Sequence, residues 1–393
     1  MKYKLSELAF YSTEKIEIDK VDESNYISTE NILPNKSGIC LADKLPQIKK
    51  VNAYKNGDIL ISNIRPYFKK IWFANRDGGH SADVLNFRAK EGVSNRFLYA
   101  LLFQDSFFNQ MVLSSKGTKM PRGDKNAIMN LEFEVPSYSK QEKISDILFY
   151  FQDKIELNNQ IISNLEELAS TLFKRWFVDF EFPDENGNPY KSSGGKMVDS
   201  ELGEIPEGWH IDIISNLMEN FDRKRVPLSK MQREKRKGEY PYYGAASLMD
   251  YVDDFLFDGI HLLLGEDGTV ITKEGNPVLQ YVWGKFWVNN HAHVLKGRGY
   301  VSTEWLYLWF KQTNVSGIVT GAVQPKISQT NLNRLKVVFP DKELLIKFQK
   351  NIGIMFDKLV VLSNEMTTLT ELRDTLLPRL LSGEIELSED GEV

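Results

Sequence analysis

Two stretches of this chain place apolar residues at helical spacing for much longer than an ordinary globular helix. In the first, Ile144, Ile147, Phe151, Ile161, Leu165, Leu168 and Leu172 fall on the a and d positions of a heptad. In the second, Phe348, Met355, Leu362, Leu369, Leu372 and Leu376 do the same. Pro136 and Pro340 stand just ahead of these stretches, where a helix can begin but not continue backwards. Each predicted helix runs about 39 residues, roughly 58 Å. Asn158 and Asn351 interrupt the two seams. A buried Asn can fix register, or it can lie on a wet edge, and the sequence leaves both readings open.

Elsewhere the pattern shortens to strands. Gly57-Asp58-Ile59-Leu60-Ile61-Ser62 and Lys70-Ile71-Trp72-Phe73-Ala74 are short β-branched and aromatic runs bounded by turn residues. Leu98 to Phe108 predicts a short amphipathic helix. The same order returns later as His261–Gly265, Gln280–Trp283 and Glu304–Phe310. The recurrence becomes strict between residues 117 and 177. Gly117, Pro121, Arg122, Leu131, Pro136, Asp153, Lys154, Leu165, Leu168, Thr171, Leu172 and Arg175 meet their counterparts 204 positions on, from Gly321, Pro325 and Lys326 to Arg379. A fixed period of that length means two copies of one structural unit. If each globular copy keeps its ends close, the second helix returns along the first. The expected architecture is therefore α+β: two pseudo-symmetric globular domains held apart by two long antiparallel coiled-coil helices.

Length and composition allow this. The chain has 393 residues, 42% of them hydrophobic and 26% charged, enough for two ordinary cores. No apolar run approaches the ~20 residues of a membrane span. The opening MKYKLSELAF has only a brief, interrupted apolar stretch, so no secretory leader is expected. One cysteine, Cys40, excludes an internal disulfide framework and a cysteine-based zinc site. The cytoplasm is the expected compartment.

Net charge is −5, but it is sorted along the chain. Residues 1–136 carry 20 Lys+Arg against 16 Asp+Glu, and residues 205–340 carry 16 against 14. The intervening 137–204 has 7 against 13, and 341–393 has 6 against 11. Mildly basic globular halves beside acidic helices can attract a polyanion to chosen faces.

Signals for catalysis are poor. No phosphate-binding P-loop, dinucleotide fingerprint or nucleophile elbow occurs. Asn188-Pro189-Tyr190 lies in a Gly/Pro-rich stretch and reads as a turn. His291 and His293 would share a strand face, yet no third ligand stands nearby in sequence, so no metal site is expected.

Binding signals are stronger. Lys116, Thr118, Lys119, Arg122 and Lys125 crowd around Gly117 and Gly123. Glycine allows close backbone approach, while Lys and Arg neutralise phosphates or reach base edges. The equivalent loop offers Gln324, which can pair twofold with adenine, and Lys326. Gly117 and Pro121 themselves are expected to shape the turn. Arg65, Tyr67, Lys69 and Lys70 interleave base and aromatic, and Arg223, Lys224 and Arg225 open a basic patch continued by Arg233 to Lys237.

Taken in order, these residues resemble the specificity (S) subunit of type I restriction–modification systems. The supporting text is Gly57-Asp-Ile-Leu-Ile-Ser, the two Gly-x-x-x-Pro loops and Val135-Pro-Ser-Tyr-Ser-Lys-Gln-Glu-Lys-Ile. It also includes Ser200-Glu-Leu-Gly-Glu-Ile-Pro-Glu-Gly-Trp209 and Thr375-Leu-Leu-Pro-Arg-Leu-Leu-Ser-Gly-Glu384. One departure is that the first domain lacks the Ile-Pro-x-Gly-Trp opening, as though its first strand were frayed or differently capped. The resemblance implies target-recognition domains at 1–138 and 205–341, spacer helices at 139–180 and 342–382, a linker at 181–204 and a tail at 383–393. It further implies a non-catalytic subunit that reads a bipartite double-stranded DNA site, with helices setting the unread spacer. Two methyltransferase subunits would bring S-adenosylmethionine, and restriction subunits would bring ATP and Mg; this chain would bind no cofactor. Leu157, Phe173 and Trp176 lie off the a/d seam and could face those partners or pack on the recognition domains. A scaffold whose duplicated domains bind protein rather than DNA is the alternative reading.

Overall fold

The computed structural model describes residues 2–321 and 323–387. It divides into two compact units, Met1–Leu157 with Glu365–Val393, and Asn158–Asn364. Unit one is organised by a four-stranded antiparallel sheet in the order Ala9–Tyr11, Val84–Ala89, Ile59–Ser62, Ile71–Phe73. Unit two repeats it as Met218–Asn220, Ala292–Gly297, His261–Gly265, Leu279–Val282. Both central strands are continuous apolar runs because both faces are covered; Ile59, Leu60 and Ile61, like Leu262, Leu263 and Leu264, are fully buried.

Beside these matched sheets the units differ. Unit one adds a four-stranded sheet from Lys15–Glu17, Lys50–Tyr54, Gly78–His80 and Tyr26–Ile27, whereas unit two adds a three-stranded one from Leu248–Val252, Lys237–Tyr243 and Trp287–Val288. These unlike inserts are why the two sequences drift out of register there. The predicted Leu98–Phe108 helix is two helices, Asn95–Phe103 and Asp105–Leu113, broken where Gln104 turns extended.

The opening strand of unit one is not frayed. Lys2–Lys4 pairs antiparallel with Glu132–Glu134, as His210–Ile213 pairs with Lys336–Phe339 in unit two. The Leu5 amide then donates to the Leu131 carbonyl at 2.7 Å, and Ile214 to Leu335 at 2.9 Å. In unit two that strand follows a hairpin of Met197–Ser200 with Gly203–Pro206, which orders part of the expected linker. The rest of that segment is also packed: the Phe182 ring stacks on Tyr190 at 4.6 Å and on Trp209 at 5.1 Å. Asn188 closes the turn, its amide donating to the Asp184 carboxylate.

Two helices of 40 residues, Tyr138–Phe177 and Lys342–Leu381, stand where the heptads place them. In each unit they run in opposite directions. In unit one, Ile144 and Leu148 share a core with Leu377 and Leu380, Arg373 donates to Gln152, and Lys154 pairs with Glu365. In unit two, Phe173, Trp176 and Phe177 surround Phe348.

The buried seam follows the a/d set only in part. Ile144, Phe348 and Leu362 are buried as expected, but Leu168 and Leu372 are 52% and 45% exposed, and Leu148, Ala169, Phe173, Leu345, Ile352, Phe356, Leu359 and Leu377 are buried at other positions. A strict heptad describes a helix packed only by its twin; these helices also bear on their globular units, which calls for a broader face shifted by about a residue. Phe173 and Trp176 accordingly belong to the core of unit two, while Leu157 stays half exposed. Asn158 is buried and Asn351 exposed, so the two open readings divide between them.

Candidate nucleic-acid interface

In both units the Gly-x-x-x-Pro loop docks onto the turn that follows the central strand. Gly117 and Gly321 take the left-handed conformation, at φ 95° and 87°. At Gly321 a Cβ would lie 2.3 Å from the Gln324 carbonyl oxygen, so only glycine fits. The docking bonds then repeat in register. Arg65 donates its amide to the Pro121 carbonyl at 2.8 Å, and Gly268 to Pro325 at 3.0 Å. The Gly123 amide meets the Asn63 carbonyl, and Ile327 meets Glu266. Asn63 reaches back to Asp83, and Glu266 to His291. Arg122 and Lys326 thereby occupy equivalent places, each bridging to the residue after that turn's first position, Ile64 or Asp267. Glycine and proline do shape the turn, and the cations ride on it.

In unit one a third loop joins these two. The amides of Asn35 and Lys36 donate to the carbonyls of Phe68 and Lys69. Asn35, Lys36, Arg65 and Lys69 all have positive φ, between 50° and 61°; beyond them, only Phe180 among the described non-glycine residues does so. Such backbone strain persists only where surrounding structure imposes it, and it clusters at functional sites. Arg65 also has a buried Nε with no hydrogen-bond partner among the described residues. An unsatisfied guanidinium at a loop junction is a ready receptor for an anionic oxygen. Tyr67 and Phe68 project beside it, 49% and 38% exposed, with rings 4.7 Å apart.

The remaining expected contact residues separate into outward and inward sets. Lys119, Lys125, Arg223 and Lys224 are exposed, and none has a carboxylate partner among the described residues. Lys125 lies 6.0 Å from the Tyr11 ring and Lys224 5.2 Å from Phe221. Thr118 and Gln324 are also exposed. Arg122 reaches the Asp83 carboxylate at 3.1 Å with half its side chain in solvent.

By contrast Lys69 and Lys36 share Asp105, and Lys70 donates to the Thr29 carbonyl; Lys116 pairs with Asp124 at 2.6 Å but its side chain stays 82% exposed, so it belongs with the outward set. Arg225 is a correction to the exposed patch read from sequence. Its side chain is 12% exposed, held by Glu266 and the Ala292 carbonyl, both at 2.7 Å. Arg233 and Arg236 likewise pair with Asp250 and Asp253, and Lys237 with Asp250. The Arg233–Lys237 patch is thus largely neutralised from within.

Beneath Lys326 lies a polar network that the sequence did not announce. Asp222, Glu266 and His293 converge from three segments, close enough to suggest a metal site. Arg225 and Lys326 already balance the carboxylates, with Lys326 3.2 Å from Glu266 and 3.4 Å from Asp267. His293 completes the set as a cation. Its Nε2 faces the Ile327 carbonyl at 2.8 Å, which can only accept, and its Nδ1 faces Asp222 at 2.6 Å. Asp222 is held below the usual carboxylate range: burial opposes, but the His293 hydrogen bond and its charge prevail. Both ring nitrogens therefore donate. Burial alone would favour neutral His293; the Asp222 contact outweighs it and raises the pKa.

In unit one His80 is buried with no carboxylate in hydrogen-bond contact among the described residues, and burial pushes it down to about 4. The two histidines make opposite contributions to stability. His293, raised when folded, stabilises fully below the unfolded value of 6.5 and loses that contribution as pH rises through its folded value. His80, lowered when folded, is neutral without cost above 6.5 and costs stability as pH falls from 6.5 toward 4. Hydrogen exchange followed against pH should show the Gly78–His80 strand weakening on acidification and the Ala292–Gly297 strand weakening as pH rises beyond 6.5. Parallel trends in the two strands would contradict these assignments.

Among the described residues no helix is long and apolar enough to cross a membrane. Comparison with known proteins agrees with the duplicated architecture. A family model described as "Type I restriction modification DNA specificity domain" matches twice, at residues 2–167 and 206–373. The chain is 25% identical to the type I restriction enzyme HindI specificity subunit of Haemophilus influenzae, over 98% of this chain and 99% of that one. It is 24% identical to the MjaIX specificity subunit of Methanocaldococcus jannaschii, over 77% and 72%. Among solved structures, a type I restriction-modification S subunit from M. genitalium matches 99% of this chain and 96% of its own, with a TM-score of 0.57 and 16% identity, a likeness of fold.

Proposed function

This chain belongs to the type I restriction modification DNA specificity family, and from that premise we infer that it is the target-reading subunit of such a system. It is non-catalytic: it recognises a bipartite duplex DNA site and directs two methyltransferase subunits and the restriction subunits to it. The observation that carries this reading is the repeated docking of a cation-bearing proline loop on the same turn of both units. Two equivalent readers suit a target with two half-sites, as pseudo-twofold symmetry suits two copies of a modifying partner.

Within unit one, Arg65, Tyr67, Thr118, Lys119, Arg122 and Lys125 form the contact surface. Arg223, Lys224 and Gln324 serve unit two, with Lys326 beneath them. Lys116 joins the unit-one surface beside Asp124, whereas Lys69, Lys70 and Arg225 support the loops rather than touch DNA. The 40-residue helices set the unread spacer. S-adenosylmethionine, ATP and Mg are brought by the partner subunits, and the assembly works in the cytoplasm. Charge balance within the Asp222–Glu266–His293 cluster supports the absence of a metal here.

A salt series on duplex binding tests this. Affinity should fall steeply as salt rises, because phosphate contacts release counterions. Replacing Arg65, Lys119 and Arg122 together by Gln should lower the slope of log affinity against log salt by about 2.7, at about 0.9 for each lost phosphate contact. Failure to bind duplex DNA, with salt-insensitive affinity for a protein instead, would favour the scaffold reading.

A further inference from the structure

His293 is fully buried on the Ala292–Gly297 strand, between two cation-bearing segments of unit two. Its Nδ1 reaches the Asp222 carboxylate at 2.6 Å, at the head of the Asp222–Lys224 turn that carries Arg223 and Lys224. Its Nε2 reaches the Ile327 carbonyl at 2.8 Å, next to Lys326. Asp222 also accepts the Val294 amide at 2.9 Å, so the turn is fastened to this strand twice. The matching position in unit one is Leu85, which faces Ile61 as His293 faces Leu264, and it lies in the apolar core. The sheet therefore closes without a histidine. What the histidine adds is the pair of ties to the loops.

We propose that His293 is a positioning residue for DNA reading by unit two: its two ring N–H groups fasten the Arg223–Lys224 turn and the Lys326 loop to one strand. This rests on the DNA-reading function above and deepens it. Both partners only accept, so both ties need the doubly protonated ring. A neutral imidazole has one N–H. The ionised Asp222 carboxylate, the stronger acceptor, keeps it, and Nε2 then turns a lone pair on the Ile327 carbonyl. The groups around the ring set when this happens. Asp222 and Glu266, at 2.6 and 3.7 Å, favour the cation. Arg225 and Lys326 both pair with Glu266 and temper that pull, and Asp267 is shared between Lys326 and His291. Burial opposes the cation, but Asp222 prevails and lifts His293 above 6.5. Lys326, itself raised by Glu266, stays charged throughout. Rising pH thus frees the loop without discharging the cation it carries.

The test uses full-length protein and a duplex carrying the target found by methylation mapping, with folding followed by tryptophan fluorescence at each pH. Target affinity at fixed salt should fall about tenfold as pH rises from 6.5 to about 9, the lower end of what one hydrogen bond to a charged group contributes. His293→Gln should bind weakly already at pH 6.5 and show no further decline. Asp222→Asn should flatten the profile by a different route: its amide donates to Nδ1 of a neutral ring, which leaves Nε2–H for Ile327 at every pH. In a Lys326→Gln background, His293→Gln should cost less than it does alone, because it acts in part through that loop. A flat profile for the unaltered protein, or an undiminished decline in His293→Gln, would overturn the proposal; the latter would assign the titration elsewhere, His291 first. If the unaltered protein failed to bind the target at any pH, the DNA-reading function would fail first, and the proposal with it.

Discussion

Phe348→Ala should cost unit two about 3–5 kcal/mol, the usual range for deleting a fully buried aromatic ring. Phe348 has no solvent exposure and is ringed by Phe177, Trp176 and Phe173 at centroid distances of 4.7, 5.4 and 5.9 Å. Three of these four rings come from the first long helix and one from the second, so the truncation opens a void where the helices and the unit's core meet. Neighbouring rings of this size cannot collapse into it without leaving their rotamers. Leu168→Ala is the informative companion. The heptad places Leu168 on the same seam, yet it is 52% exposed, and its truncation should fall within about 0.5 kcal/mol of neutral. Denaturant unfolding of both variants, read by tryptophan fluorescence from Trp176 and Trp305, measures the difference. Comparable costs would mean that the heptad, not the broader face, defines the packing.

That pair also marks how far the sequence could be read. The duplication and both long helices were legible because each depends on local spacing, and the helix bounds differ from expectation by a few residues. The seam is only partly the expected one, with Ile144, Phe348 and Leu362 buried but Leu168 and Leu372 not, because its position depends on what the helix packs against. Tyr281 and Tyr307, both in contact with Phe356, come from the globular part of unit two. The Gly-x-x-x-Pro loops were legible as turns because a left-handed glycine and a proline leave few alternatives.

The site was legible as a set of basic residues, but not in its pairing. Arg223 and Arg225 are two residues apart, yet one faces water and the other turns in toward Glu266, 41 residues away. Nothing local decides between them. The left-handed backbone at Arg65 and Lys69 carries no compositional mark, since neither is glycine or asparagine. Asp83 carries no local mark for the same reason: its pairing with Arg122 depends on a loop 39 residues distant.

The central claim, that each unit reads one half of the target by itself, has a direct measurement. Residues 1–136 end before the first long helix and hold both contact loops of unit one. They are to be exchanged for the corresponding segment of a family member with a different target. Methylated sites are then mapped in cells that also express the modifying partner. The account predicts one altered half-site, with the other half-site and the spacer unchanged. Alteration of both half-sites, or of neither, would contradict it.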